Sequence, residues 1–241
     1  EEDADLKGLT AYQAYVFNTS HKGLKYDSDI YDGLYYASKS LKDDPYRSFS
    51  GHTDAVKAFV ASQNGEFIYS TGSDGRILRF SAPDPLSQPL IIRDSSDVVN
   101  DIILDSNGKN LICSDQKKLY FIDVEENKVR STIDVKNIGL ITHLEPSAKP
   151  GQFYSIGLDN TLRLWNGKEN RVVLTNDAKI NVMAANPAKG WLAIGDDNGR
   201  IIIIDVTKNE PVLKVENDRE GKKGIYSIAF SDDGKMMAAG D

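Results

Sequence analysis

From residue 56 onward the chain repeats one plan, in which a short apolar run, a turn and a second apolar run lead through another turn to a third run. The copies "AVKAFVASQNGEFIYSTGSDGRILRF", "VVNDIILDSNGKNLICSDQKKLYFID", "LITHLEPSAKPGQFYSIGLDNTLRLWN" and "INVMAANPAKGWLAIGDDNGRIIIID" align, and "IYSIAFSDDGKMMAAGD" supplies the first two runs of a fifth. The first apolar anchors, Val56, Val99, Ile141, Ile180 and Ile225, lie 43, 42, 39 and 45 residues apart. A sheet of so few residues cannot bury its own two faces and must stack on its neighbours. A period of this length, with several short strands per unit, is that of a propeller blade.

Within a unit, Asn64-Gly65, Asn107-Gly108, Pro150-Gly151, Lys189-Gly190 and Asp233-Gly234 mark the first turn, where glycine supplies the backbone freedom of a tight hairpin. Asp74-Gly75, Asp159-Asn160 and Asn198-Gly199 mark the second turn. Third strands are read from "ILRF", "LYFI", "LRLW" and "IIII". Outer strands are read from "PLIIRD", "KVRSTID", "RVVLTN" and "PVLKVE". Four strands per unit is the propeller count.

Residues 1–46 follow a different period. Leu6, Leu9, Tyr12 and Val16, then Ile30, Leu34, Ala37 and Leu41, step by three or four, which predicts two helices joined as a hairpin. Ser28 or Asp29 caps the second, with Lys39 and Lys42 near its end. Two helices are too few to be stable alone, so Tyr12, Tyr15, Phe17, Tyr31, Tyr35 and Tyr36 are expected to pack on a neighbour. The division expected is a helical hairpin over 1–46 and a mainly β propeller over 47–241.

Three stretches carry a family resemblance. "SGHTDAV" contains Gly51-His52, "STGSDGRILRF" follows it, and "LDNTLRLWN" ends on Trp165-Asn166. Residues 48 to 241 resemble the WD-repeat β-propellers, most clearly in the first and third units. The second and fourth have "FID" and "IID" in place of Trp-Asp and lack Gly-His. The resemblance implies a structural hydrogen-bond network of His52, Thr71 (or Ser70) and Asp74, with Phe80 where the family has tryptophan. It also implies a partner surface on the face nearest the start of the inner strands. There the aligned exposed positions are Lys57, Asn100, Thr142, Asn181 and Tyr226, Tyr226 being the best interface anchor. The hairpin resembles segments that precede propellers in some bacterial multidomain signalling and membrane-anchored proteins.

A formal net charge of −7 argues against a nucleic-acid footprint, which needs clustered cations. The lone Cys113, in "NLICS", reads as a buried hydrophobe and permits no disulfide within the chain. No apolar run reaches membrane-spanning length. "GDDNG" and "SDDGK" lack the ligand spacing of a calcium loop. His21 and His143 have no partner at metal-ligand spacing, and no glycine-rich phosphate loop is present. A His near a Ser and an Asp here sits at fixed repeat positions, not in a catalytic triad.

The function expected is therefore that of a non-enzymatic interaction scaffold or sensor within a larger protein or complex, with no cofactor or metal. Its partners are other proteins or other domains of the same protein. The alternative is a regulatory propeller fused to a catalytic domain outside the segment. A cytoplasmic or periplasmic location is open, with membrane association only through an upstream segment. With about four and a half units present, a seven-bladed ring would need roughly two and a half more blades after residue 241.

Overall fold

Turn chemistry and alternation dictate the strands. In a computed structural model, residues 2–21, 29–34, 48–84, 86–135, 138–186, 188–208, 210–215, 223–231 and 233–241 are described. They divide into two compact units, Glu1–Phe49 and Ser50–Asp241.

In the first unit, helix α1 spans Glu2–Ser20 and a second helical segment covers 29–34. Residues 22–28 and 35–47, which include Ser28, Ala37, Lys39, Leu41, Lys42, Tyr35 and Tyr36, lie outside the described residues. Of the aromatics expected to pack on a neighbour, Tyr12, Tyr15, Phe17 and Tyr31 are exposed, and Tyr35 and Tyr36 lie outside the described residues. His21 stacks on Phe17, centroids 4.1 Å apart, and ends the helix against the Phe17 carbonyl.

The second unit is built of antiparallel four-stranded sheets whose strands follow one another in order. Blade 1 contains β1 (Val56–Ala61), β2 (Phe67–Gly72), β3 (Ile77–Ser81) and β4 (Leu90–Arg93). Blade 2 contains β5 (Val99–Leu104), β6 (Asn110–Asp115), β7 (Lys118–Asp123) and β8 (Lys128–Asp134). Blade 3 contains β9 (Ile141–Pro146), β10 (Gln152–Gly157), β11 (Thr161–Asn166) and β12 (Glu169–Thr175). Blade 4 contains β13 (Ile180–Asn186), β14 (Trp191–Asp196), β15 (Ile201–Asp205) and β16 (Glu210–Val215). The fifth sheet pairs β17 (Ser227–Phe230) with β18 (Met237–Gly240). Each expected first, second, third and outer strand is present.

The core lies between blades. Successive side chains of a strand point to opposite faces, and both faces of the middle strands are covered. On β6, Leu111 and Cys113 join Tyr69 and Ile77 of blade 1, while Ile112 joins Phe153 and Trp165 of blade 3. On β10, Phe153 serves the seam with blade 2 and Tyr154 the seam with blade 4. The four isoleucines of β15 divide in the same way, Ile202 and Ile204 toward blade 3, Ile201 and Ile203 toward Ile225 and Ile228 of the fifth sheet. Burying each such side chain contributes about 1.5–3 kcal/mol. Cys113 is fully buried, and burial pushes its thiol far above the ordinary range, so it packs as a small apolar group.

Two turns fix the blade geometry. Gly75 has φ 75°, and a Cβ there would come within 1.7 Å of the Ser95 carbonyl oxygen, so only glycine fits. Blade 3 has Asn160 at the equivalent turn, with φ 57°, a left-handed conformation that asparagine tolerates.

Candidate functional site

One local device recurs at the start of the inner strands. Register shifts fall between Val56 and Ala58, between Val99 and Asp101, opposite Ile156 and Gly157 where Ile141 is followed by His143, and between Ile180 and Val182. In each case one extra residue stands unpaired: Lys57, Asn100, Thr142 and Asn181. A β-bulge bends its strand and re-aims one side chain. Four of the five residues expected on the partner face are thus the bulge residues of four consecutive blades. The fifth, Tyr226, precedes β17, with its backbone N–H donating to the Gly240 carbonyl.

Their exposure differs. Lys57 and Tyr226 are open, Tyr226 with 63% of its surface exposed. Asn100 and Thr142 are half-buried, bonded respectively to the Ile141 carbonyl of the next blade at 3.3 Å and to the Ile156 carbonyl at 3.3 Å. Asn181 departs from the expectation of exposure. It is only 7% exposed, because its amide donates to Asp197 Oδ1 at 2.6 Å, and Gly224 lies against it.

Beneath this face each blade has an acid at its second turn. In blade 1, His52 Nδ1 donates to Asp74 at 3.0 Å, and Ser70 Oγ donates to His52 Nε2 at 2.7 Å. The serine and not Thr71 completes the network. Adjacent strand residues face opposite ways, and Thr71 is turned toward the Ala58 carbonyl instead. Although burial opposes it, the Asp74 carboxyl is held below the ordinary carboxylate range by the Thr53 N–H, His52 and the Arg76 N–H. A fixed acid, imidazole and hydroxyl at a turn buried under the loop is a clamp, and Phe80 fills the place of an indole.

Blade 3 retains the other half. Trp165 Nε1–H donates to Ser155 Oγ at 2.8 Å, and the indole stacks on Phe153 at 5.6 Å with 2° between the planes. Blades 2 and 4, which lack Gly-His, build the clamp from other chemistry. Asp115 accepts Arg93 Nη2 at 3.1 Å and the Tyr120 hydroxyl at 2.5 Å. Asp196 accepts Asn176 Nδ2 at 2.9 Å and Arg200 Nε at 2.7 Å. His52, Arg93 and Asn176 all stand before an inner strand, so one position is filled by three donors. The sequence offers no shared letter by which to find them.

Beyond the bulges, two carboxylates of the inner strands join blades directly. Asp101 Oδ2 accepts the Leu144 N–H at 2.7 Å, and Glu145 Oε1 accepts the Ala185 N–H at 2.9 Å. An inner strand is the edge of its sheet, so these acceptors satisfy backbone donors that the sheet leaves open. Burial, opposed by the Leu144 and Ile102 N–H groups, lifts the Asp101 carboxyl to about 6. Burial and the nearby Asp101 charge lift Glu145 to about 7 against the Ala185 N–H. His143, between them in sequence, is exposed. No group of three or more His, Cys, Asp or Glu side chains could hold a metal among the described residues.

These four-stranded blades have known counterparts. A family model described as "WD domain, G-beta repeat" matches residues 43–80 and 213–241. The chain thus carries WD-repeat sequence in those two stretches, on a β-propeller fold. The second of these matches begins in the outer strand of blade 4 and runs through the fifth hairpin, so the WD repeat, as a sequence unit, straddles two sheets. Among WD-repeat relatives, human WD repeat-containing protein 36 (Homo sapiens) is 32% identical over 126 residues, 51% of this chain and 14% of that protein. WD repeat-containing protein 1 of Gallus gallus is 19% identical over 212 residues, 86% of this chain and 34% of that protein. The β-propeller domain of Cps50 (Swd1) from Myceliophteria thermophila superposes with a TM-score of 0.66 at 14% identity, over 78% of this chain and 63% of that one. The chain thus spans about a third or less of the curated WD-repeat relatives it matches. The two relatives are vertebrate, so the likeness of the hairpin to bacterial proteins gains no support.

Proposed function

We propose that this WD-repeat chain is a non-catalytic protein-interaction scaffold, a helical hairpin (1–46) followed by a propeller (47–241), within a larger protein or complex. Its partner surface is the face at the start of the inner strands, formed by Lys57, Asn100, Thr142, Asn181 and Tyr226. The observation that carries this reading is the bulge repeated at the same point of four blades, which aims one side chain per blade to a common end. Lys57 and Tyr226 are the exposed contacts, while Asn100, Thr142 and Asn181 hold the rim in shape through their backbone and side-chain bonds. Tyrosine suits an anchor because it offers large contact area with only two side-chain torsions to fix.

Affinity capture with the intact protein tests the reading. Tyr226→Ala and Lys57→Glu are expected to lose the partners that the wild type retains, with the fold unchanged by circular dichroism. Equal recovery by all three proteins would remove the proposed face from consideration.

A further inference from the structure

At the hairpin-turn end, opposite the face just described, the inner strands of blades 1 to 4 open onto a cavity of about 1120 Å³. Among its lining charges is Glu145, half-buried on β9. One carboxylate oxygen is fixed by the Ala185 N–H of blade 4. Among the described residues no cation pairs with this side chain and no donor meets its second oxygen. Burial, with the Asp101 charge nearby, raises the proton affinity of Glu145 against the Ala185 N–H. Another lining acid, Asp105, is already satisfied by Asn110 Nδ2 and by the Lys109 and Asn110 N–H groups.

Two further features accompany the unpaired carboxylate. The walls beside it are apolar, formed by Tyr154, Leu164 and Ala185, and can cover the methylenes of a long side chain. At the mouth, Lys189 Nζ rests 4.7 Å from the centre of the Trp191 ring, so the indole face already holds a cation from the protein itself. The exposed Lys149 stands on the rim and repels a polybasic segment.

We propose that this cavity binds a single arginine or lysine side chain presented by a partner peptide whose flanking residues are neutral or acidic. The stem lies along Leu164 and Ala185, and the cationic head reaches the free oxygen of Glu145. Passing Trp191, the segment displaces Lys189 from the ring.

The two tryptophans of the chain provide the readout, since Trp165 is fully buried against Ser155 and Trp191 faces the cavity. At pH 8, the blocked peptide Ac-Glu-Ala-Arg-Ala-Glu-NH2 is titrated into the 15N-labelled chain. The Trp191 indole resonance is expected to shift saturably while that of Trp165 stays in place. Replacing the arginine by uncharged citrulline, or Glu145 by Gln, is expected to weaken binding about tenfold or more, the scale of one lost buried charge contact. Glu145→Gln keeps an acceptor for Ala185, so the blade seam is retained. Lys189→Ala is expected to tighten binding about twofold by freeing the ring. A Lys-flanked version of the peptide is expected to bind less well. The proposal is overturned by an unmoved Trp191 resonance, by equal affinity for the citrulline peptide, by unchanged binding to Glu145→Gln, or by preference for the Lys-flanked peptide. Tyr226→Ala, at the opposite end, is expected to leave this binding unchanged, so the two sites succeed or fail separately.

Discussion

Asp101 of blade 2 accepts the backbone N–H of Leu144 in blade 3 at 2.7 Å, and the next residue along, Glu145, repeats the contact into blade 4 through Ala185 at 2.9 Å. The seams between blades are therefore sewn by side chain to backbone bonds as well as by apolar packing. Both acids hold protons more tightly when folded, at about 6 and about 7, than a carboxyl does in an unfolded chain.

The sign follows from that difference. Between pH 4 and 7 the folded state binds more protons than the unfolded one, so the contribution of these two groups to stability falls as pH rises through that window. Each pKa unit of difference is worth about 1.4 kcal/mol. Urea midpoints measured from pH 5 to 8 are expected to decline less steeply for Asp101→Asn with Glu145→Gln than for the wild type. An identical slope in both proteins would contradict the assignment.

Asp74 acts in the opposite direction. Its carboxyl is held low in the fold, so its contribution is complete above the ordinary carboxylate range and is lost as pH falls through the lowered value. Asp74→Ala strands the Thr53 and Arg76 N–H groups and His52, and is expected to cost about 2–4 kcal/mol at pH 7 by thermal or urea unfolding.

Trp165 and Ser155 form a coupled pair. Ser155→Ala leaves a buried indole N–H without an acceptor, for an expected loss of about 1–3 kcal/mol. Once Trp165 is phenylalanine that donor is gone, and the same serine change is expected to cost much less. A double-mutant cycle on urea unfolding measures the difference, and additive values would deny the bond any role in stability.

Gly75 and Gly65 separate space from backbone conformation. Their φ values are 75° and 71°, but a Cβ on Gly65 would meet nothing within 4 Å, whereas on Gly75 it would enter the Ser95 carbonyl. Gly65→Ala is expected to cost about 1 kcal/mol, the penalty of a left-handed alanine. Gly75→Ala is expected to cost several times more, read as a much larger drop in melting temperature.

What the sequence made legible follows from which features leave a periodic mark. Anchors such as Val99 and Ile180 recur, so every strand of the four full blades could be drawn in advance. Alignment also found Lys57, Asn100 and Thr142, although not that each is a bulge, because one extra residue is invisible in short apolar runs. Alternation places Ser70 and Thr71 on opposite faces but does not say which faces His52. Asp101 and Glu145 went unnoticed for a plainer reason. Their partners are the N–H groups of Leu144 and Ala185, about one repeat away, and a backbone donor has no letter.

The run Ile201–Ile204 has one further consequence. In an ordinary strand a slip of one residue turns apolar side chains to water and is resisted for that reason. In β15 a slip exchanges isoleucine for isoleucine across two dry seams, and solvent cannot tell the difference. The polar ends must fix the frame, with Asp196 gripping the Arg200 N–H and guanidinium at one side and Asp205 holding Thr207 at the other. This strand is aligned by its punctuation.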